Sequence, residues 1–214
     1  MNPAAQLEEG LQLLGIALSP RAQSQLLDYA ALLEKWNRTY RLTAVHDRAL
    51  AVSHHLLDSL AVLPFVRGDS LLDVGSGGGM PGIPLAIARP ELRVVLVDSN
   101  SKKTAFLQQV AIELELANIA VHCGRVEEYR PATGFAAITA RAFSDLAELV
   151  RLSRHLLQGG GHWLAMKGVC PQAEIARLPA DVVVDALYRL QVPGVAGERH
   201  LVLIGSHAAA HRGA

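Results

Sequence analysis

Apolar residues in the first third of the chain recur with the period of a helix. Leu26, Leu27, Ala30, Leu33 and Trp36 fall on one side of such a helix. Ser19-Pro20 marks its start, because a serine hydroxyl can cap a free N–H of the first turn and proline at the first helical position forfeits no hydrogen bond. A second helical stretch opens near Asp47 and gathers Val52, Leu56, Leu57, Leu60 and Leu63 on one side. It should stop before Pro64, since the residue preceding a proline avoids the helical region.

Beyond Gly68 the rhythm changes. Short apolar runs, Leu71–Val74, Val94–Asp98, Ile119–Val121, Phe135–Ile138 and His162–Met166, alternate with helical segments such as 102–116. Strands that alternate with helices predict a doubly wound α/β sheet, mostly parallel. Val182–Val184 and Leu201–Ile204 have no clear helix between them, only Pro193-Gly194, and predict an antiparallel hairpin at the sheet edge, for seven strands in all. The expected organisation is an N-terminal helical extension (1–67), a sheet domain (68–206) and a disordered tail (207–214). About 65 residues make a marginal independent core, so the extension should pack on the sheet.

Composition narrows the class. Half of the 214 residues are hydrophobic and 19% are charged, which suits one buried core rather than a disordered chain. No apolar run approaches the ~20 residues of a membrane helix, and Met1-Asn2-Pro3-Ala4 does not read as a secretory signal. Cys123 and Cys170 lie far apart and form no metal motif, so they read as free buried thiols in a reducing cytoplasm, and no metal is expected. Net charge is zero. A nucleic-acid partner would therefore have to meet a local basic surface, and Lys35, Arg38, Arg41, His46, Arg48, His54 and His55, against Asp47 alone, supply one candidate. An ordinary solvated helix face would look the same.

The main chemical signal is Asp73-Val74-Gly75-Ser76-Gly77-Gly78-Gly79-Met80-Pro81-Gly82. Glycines at the end of a strand allow a sharp turn and let a ligand approach the backbone. A helix starting near Pro81 would aim its N–H groups at that ligand. Gly77, Gly79 and Gly82 also satisfy a dinucleotide fingerprint, which alone is weak. Asp73 would repel a pyrophosphate but suits a cofactor with an ammonium and a sulfonium, so S-adenosyl-L-methionine is favoured over a nicotinamide. Asp98, followed by Ser99 at the end of the second strand, can accept from both ribose hydroxyls of an adenosine, a role compatible with either cofactor.

Over nearly its whole length the chain resembles the RsmG (GidB) family of ribosomal RNA methyltransferases. The resemblance is carried by Trp36-Asn37 with Leu42-Thr43-Ala44, His55-Leu56-Leu57-Asp58-Ser59, Asp73 through Pro84, Asp98-Ser99 with Lys102-Lys103, Gly124 through Glu128, Ala140-Arg141-Ala142-Phe143, Met166-Lys167-Gly168, and Glu198 through Val202. Arg41 stands where the family usually has asparagine, and His54 where arginine is common. The resemblance implies a Rossmann-like methyltransferase fold, S-adenosylmethionine as cofactor, and N7 of a guanine in a decoding-region hairpin loop of 16S ribosomal RNA as acceptor. It implies cofactor contacts at Gly75, Met80, Val126, Glu127 and Arg141, which join Asp73, Gly77, Gly79, Asp98 and Ser99 from the motif.

The residues after the fourth strand are informative by what they lack. Ala140-Arg141-Ala142-Phe143-Ser144 is not the Asn/Asp-Pro-Pro-aromatic turn of amino-group methylation, and neither cysteine sits in a motif for carbon methylation. Guanine N7 carries no proton and needs no base, only alignment with the methyl–sulfur bond, and alignment can contribute about 7–11 kcal/mol. No catalytic proton carrier is nominated; Arg141 is a positioning candidate. RNA contacts are expected from Lys35, Arg38, Arg41, Arg48, Lys102, Lys103, Lys167 and Arg199, on naked ribosomal RNA or an assembled small subunit, by a monomer. An NAD-dependent oxidoreductase and a non-catalytic RNA-binding module on the same fold remain the competing readings.

Overall fold

The computed structural model describes residues 2–45 and 48–206, with the backbone alone at 48, 49 and 206. Expectations about His46, Asp47, the Arg48 side chain and the 207–214 tail lie outside the described residues. Helix α1 (Pro3–Leu14) is capped by Asn2, and α2 (Pro20–Tyr40) by Ser19, whose hydroxyl accepts from the Ala22 N–H as the Ser-Pro start predicts. The second helical stretch is less regular than its apolar spacing suggests. α3 (Arg48–Ala51) runs into a π-helical segment, Val52–Leu57, and out again as α4 (Asp58–Leu60). Pro64 follows in a short 3-10 turn, Leu63–Phe65.

Seven strands form one sheet in the order β3-β2-β1-β4-β5-β7-β6. β1 (Ser70–Val74), β2 (Arg93–Asp98), β3 (Ile119–Cys123), β4 (Phe135–Arg141) and β5 (Leu157–Lys167) are parallel neighbours. β6 (Val182–Arg189) and β7 (His200–Ser206) form the antiparallel hairpin, with β7 inserted between β5 and β6. Helices α5 (Gly82–Ala88), α6 (Ser101–Glu113), α7 (Leu146–Ser153) and α8 (Gln172–Ile175) connect the strands.

The strands alternate their side chains between two buried layers, as the two-residue period of a strand requires. Leu71, Val94, Leu96, Leu164 and Leu203 join Leu7, Leu26, Leu33, Leu56 and Leu60 of the N-terminal helices in one core. Leu72, Val95, Val97, Ile138, Trp163 and Val202 face α7 in the other. The N-terminal helices thus share the first core with the sheet, and their arrangement decides what covers the carboxyl ends of the strands. Both cysteines are exposed, contrary to expectation: Cys123 ends the edge strand β3 and Cys170 lies in the loop before α8. Among the described residues no helix is long and apolar enough to cross a membrane.

Candidate functional site

Parallel β1 is flanked by β2 on one side and β4 on the other, so the chain departs in opposite directions from adjacent strand ends and leaves a crevice there. The glycine loop fills its floor. Gly75 and Gly77 adopt φ of +67° and +57°, and nothing lies within 4 Å of the place where a Gly75 Cβ would stand. The other face of the loop is packed: a Cβ on Gly78 would meet Met80 and Leu33, and the buried Tyr29 hydroxyl of α2 donates to the Gly78 carbonyl at 2.6 Å. The loop therefore has one face bound to the protein and one face open.

Asp73 acts on the loop from beneath. It is fully buried, its Oδ2 accepts from the Gly82 N–H at 3.0 Å, and its Oδ1 has no partner among the described residues. The N-terminus of α5, expected to meet a ligand, is thus capped by the protein's own carboxylate. Burial pushes this carboxyl up to about 7, against the Gly82 hydrogen bond and the nearby Arg141 charge. Asp98 reaches the loop from β2: its Oδ2 accepts from Gly77 N–H at 2.9 Å, its Oδ1 from Asn100 N–H, and Lys103 Nζ stands 3.6 Å away. Ser99 follows it, and the 3-10 turn Val126–Glu128 succeeds β3, with Val126 buried and Glu127 held by Arg125 at 2.7 Å.

A cavity of about 520 Å³ opens over these strand ends. Its floor is Gly75–Gly78 with Met80; its walls are Arg141, Ala142, Met166 and Lys167; its roof is Leu42–Val45 with His54, His55 and Asp58 from the N-terminal segment. The roof is built by side chains. Thr43 N–H donates to Asn37 Oδ1, Thr43 Oγ1 accepts from Val45 N–H, and the same hydroxyl shares a hydrogen bond with His55 Nε2 at 3.0 Å. Burial, with Arg141 close by, holds His55 down at about 4, so its imidazole is neutral near neutral pH.

Of the residues singled out from the sequence, the cavity brings together Gly75, Gly77, Met80, Arg141, Lys167 and Arg199. Asp73, Gly79, Asp98 and Ser99 are not in its lining, and Val126 and Glu127 sit at the neighbouring strand end. Arg141 is not a free cation: it donates to Asp58 Oδ2 at 3.1 Å, to the His54 carbonyl, and toward Met80 Sδ. Arg199 donates to Asp58 Oδ1 at 2.9 Å. Lys167 is nearly buried, donating to the Phe143 carbonyl and to Glu174, which removes it as a mobile phosphate contact. Lys35, Arg38, Arg41 and Lys102 are exposed, although Arg38 pairs with Glu34. The basic stretch therefore divides: His54 and His55 line the cavity, while Lys35, Arg38 and Arg41 stay on the surface. Asp58, which joins two of the arginines, was not nominated from the sequence.

A model of the GidB family, described as rRNA small subunit methyltransferase G, matches residues 22–202. The chain belongs to this family. Relatives named ribosomal RNA small subunit methyltransferase G are 56% identical in Laribacter hongkongensis, over 96% of this chain and 99% of the relative, and 57% identical in Ectopseudomonas mendocina, over 94% and 95%. Among solved structures, the O-methyltransferase TomG from Streptomyces achromogenes, in complex with SAM, superposes with a TM-score of 0.62 at 16% identity, covering 96% of this chain and 99% of that one. The glycopeptide N-methyltransferase MtfA, complexed with SAM, gives 0.58 at 13% identity over 71% and 87%. These last two share the fold, which is that of a methyltransferase.

Proposed function

We infer that this GidB-family chain transfers the methyl group of S-adenosyl-L-methionine to N7 of a guanine in 16S ribosomal RNA. Methyl transfer to ribosomal RNA follows from the family. The choice of an atom that needs no deprotonation is carried by one observation: the carboxylate in the roof of the cavity, Asp58, is committed to two guanidiniums. Each of its oxygens is already occupied by a guanidinium donor, so among the described residues the roof presents no free carboxylate to the acceptor. The guanine lone pair at N7 needs only to be held in line with the methyl–sulfur bond.

The open face of Gly75 and Gly77 fits a cofactor that approaches the backbone closely, and the Asp73 carboxylate at the α5 N-terminus leaves no place for a pyrophosphate there. This argues against the NAD reading. When bound, S-adenosylmethionine supplies an electrophilic methyl on a sulfonium. Gly75, Gly77 and Met80 would border its methionine end, Asp98 would accept from the ribose hydroxyls, and Val126 and Glu127 would flank the adenine. Replacing Asp98 with alanine should weaken S-adenosylmethionine binding by about 1–3 kcal/mol through loss of charge-assisted hydrogen bonds. An unchanged dissociation constant in calorimetry would remove Asp98 from the cofactor site.

The N-terminal helices serve as the RNA-facing part, and the protein works as a cytoplasmic monomer. The surface cations Lys35, Arg38, Arg41 and Lys102 make the sequence-independent phosphate contacts, and Lys103, half-buried beside Asp98, adds to their field. Replacing Arg38 and Arg41 together with alanine should weaken RNA binding and flatten its log–log salt dependence by up to two contacts of about 0.7–0.9 each. The Glu34 pair of Arg38 reduces that gain. The same salt slope as the parent would make this an ordinary solvated face. The reading as a whole is tested by transfer of labelled methyl to small subunits from a strain lacking the protein, followed by mapping of the base. Label at guanine N7 is expected; label at another atom, or none, overturns it.

A further inference from the structure

Asp58 lies where three parts of the chain meet. It is the first residue of α4, just after the π-helical segment Val52–Leu57, and its side chain is only 4% exposed. A π-helical turn takes up more residues than an α-helical one, so side chains beyond it are rotated relative to a regular helix, and such turns recur at functional sites. Here the rotation sets His54, His55 and Asp58 at the cavity while Leu56, Leu57 and Leu60 remain in the core. Each carboxylate oxygen then receives a different arginine: Arg141 from the end of β4, and Arg199 from the residue before β7. Both side chains are about a quarter exposed, at 24% and 25%, and both line the cavity.

Two guanidiniums around one carboxylate leave this triad with one positive charge in excess at the cavity wall. Lys167 adds nothing to it, being neutralised by Glu174. Arg141 is anchored a second time through the His54 carbonyl and faces the cofactor loop through Met80. Arg199 spends Nε on Asp58 and Nη1 on the Glu198 carbonyl, and its Nη2 has no partner among the described residues. A fixed guanidinium with a spare donor beside surplus positive charge is suited to a phosphate oxygen.

We propose that Asp58 is a positioning residue for the acceptor: by holding Arg141 and Arg199 as a pair, it makes Arg199 the seat of a phosphate next to the target nucleotide and aligns the base with the cofactor. The proposal rests on the ribosomal RNA methyltransferase reading above. Asp58 acts through the arginines and touches neither reacting group.

The test is a double-mutant cycle on the full chain with Asp58→Asn, Arg199→Gln and the double variant. Cofactor binding is read by calorimetry and methyl transfer by label incorporation into small subunits lacking the modification. Asp58→Asn leaves Arg141 its second anchor on the His54 carbonyl. Any loss of S-adenosylmethionine affinity should therefore stay below about tenfold while kcat/KM for the subunit falls by about 100-fold, the scale of a misplacement near 1 Å. In the Arg199→Gln background the same change should cost much less, because the two residues act as one unit. Parental methylation by Asp58→Asn, additive losses, or an equal loss of cofactor affinity (the triad then holding the cofactor's own carboxylate) would each overturn the proposal. Removing one partner of a buried ion cluster can prevent folding. In that event Arg199→Gln, which leaves the Asp58–Arg141 pair intact, carries the test: it should show the same split between cofactor affinity and transfer, and a loss confined to cofactor binding overturns it. If the parent itself places no methyl on guanine, the functional reading fails first, and the cycle is not what failed.

Discussion

Replacing Gly75 with valine is expected to raise the dissociation constant for S-adenosylmethionine by more than about 100-fold while the sheet still forms. Two effects act, one on stability and one on affinity. Gly75 has φ of +67°, where a β-branched residue is strained by an order of 1–3 kcal/mol. The space where its Cβ would stand is open, so the added methyls extend over the open face of the loop and not into the core. A tenfold change in affinity corresponds to about 1.4 kcal/mol, so the stated loss is about 2.8 kcal/mol. The overlap with the ligand must supply it, while the strain is borne by free and bound protein alike and shows in stability. Gly75→Ala should fall between, with one methyl and less strain. Calorimetry gives the affinity and a urea titration the fold. Normal binding by a folded Gly75→Val protein would show that the cofactor does not pass over this residue. Gly79 is the informative contrast. It has a positive φ as well, but a Cβ there would press on Ile83 and Leu107, so its substitution should damage folding before binding.

The fold was legible because its central strands β1 and β2 are short runs of β-branched and aliphatic residues buried on both faces, and such runs have few other uses. Val94–Val97 and Leu71–Val74 needed no tertiary information, nor did the Ser19-Pro20 helix start. What stayed hidden depends on groups far apart in the chain. The partners of Asp58 are 83 and 141 residues away, and nothing local distinguishes it from an acid on a solvated helix face. The π-helical segment carries the same apolar residues that a regular helix would, so spacing alone could not reveal it. Lys167 read as a phosphate contact because its charge is visible in the sequence, whereas Glu174, which neutralises it, approaches only when α8 packs against α7. The thiols were misplaced for a related reason: cysteine is usually buried, but Cys123 occupies the open end of an edge strand. The glycine motif gave the location of the loop on the cavity floor, and the N-terminal segment that roofs it became apparent only through the Asn37–Thr43–His55 hydrogen bonds.

Asp73 carries the second large effect, and it concerns pH. Its carboxyl has an ordinary value of 3.8 and is pushed up to about 7 by burial. The folded chain therefore binds a proton that the unfolded chain releases throughout the interval between those two values. Stability falls with rising pH wherever the native state binds more protons, so this residue should make the fold less stable as pH climbs from about 4 to about 7, with no further change above that. At about 1.4 kcal/mol for each pH unit crossed, the ceiling is about 4 kcal/mol. Asp73→Asn keeps an oxygen for the Gly82 N–H and cannot ionise. Its unfolding free energy, measured by urea titration from about pH 5 to about pH 8, should gain on the parent as pH rises. The slope of that difference isolates Asp73 from the remaining carboxylates, which titrate alike in both proteins. A constant difference across the range would mean that Asp73 is ionised in the fold at every pH tested. The buried Oδ1, which has no partner among the described residues, would then need a cation or a solvent molecule beside it. The expected outcome instead makes Asp73 a largely neutral cap below about pH 7. It would hold the start of α5 through one hydrogen bond, and its charge would appear only as the pH rises or when a cation settles over the glycine loop.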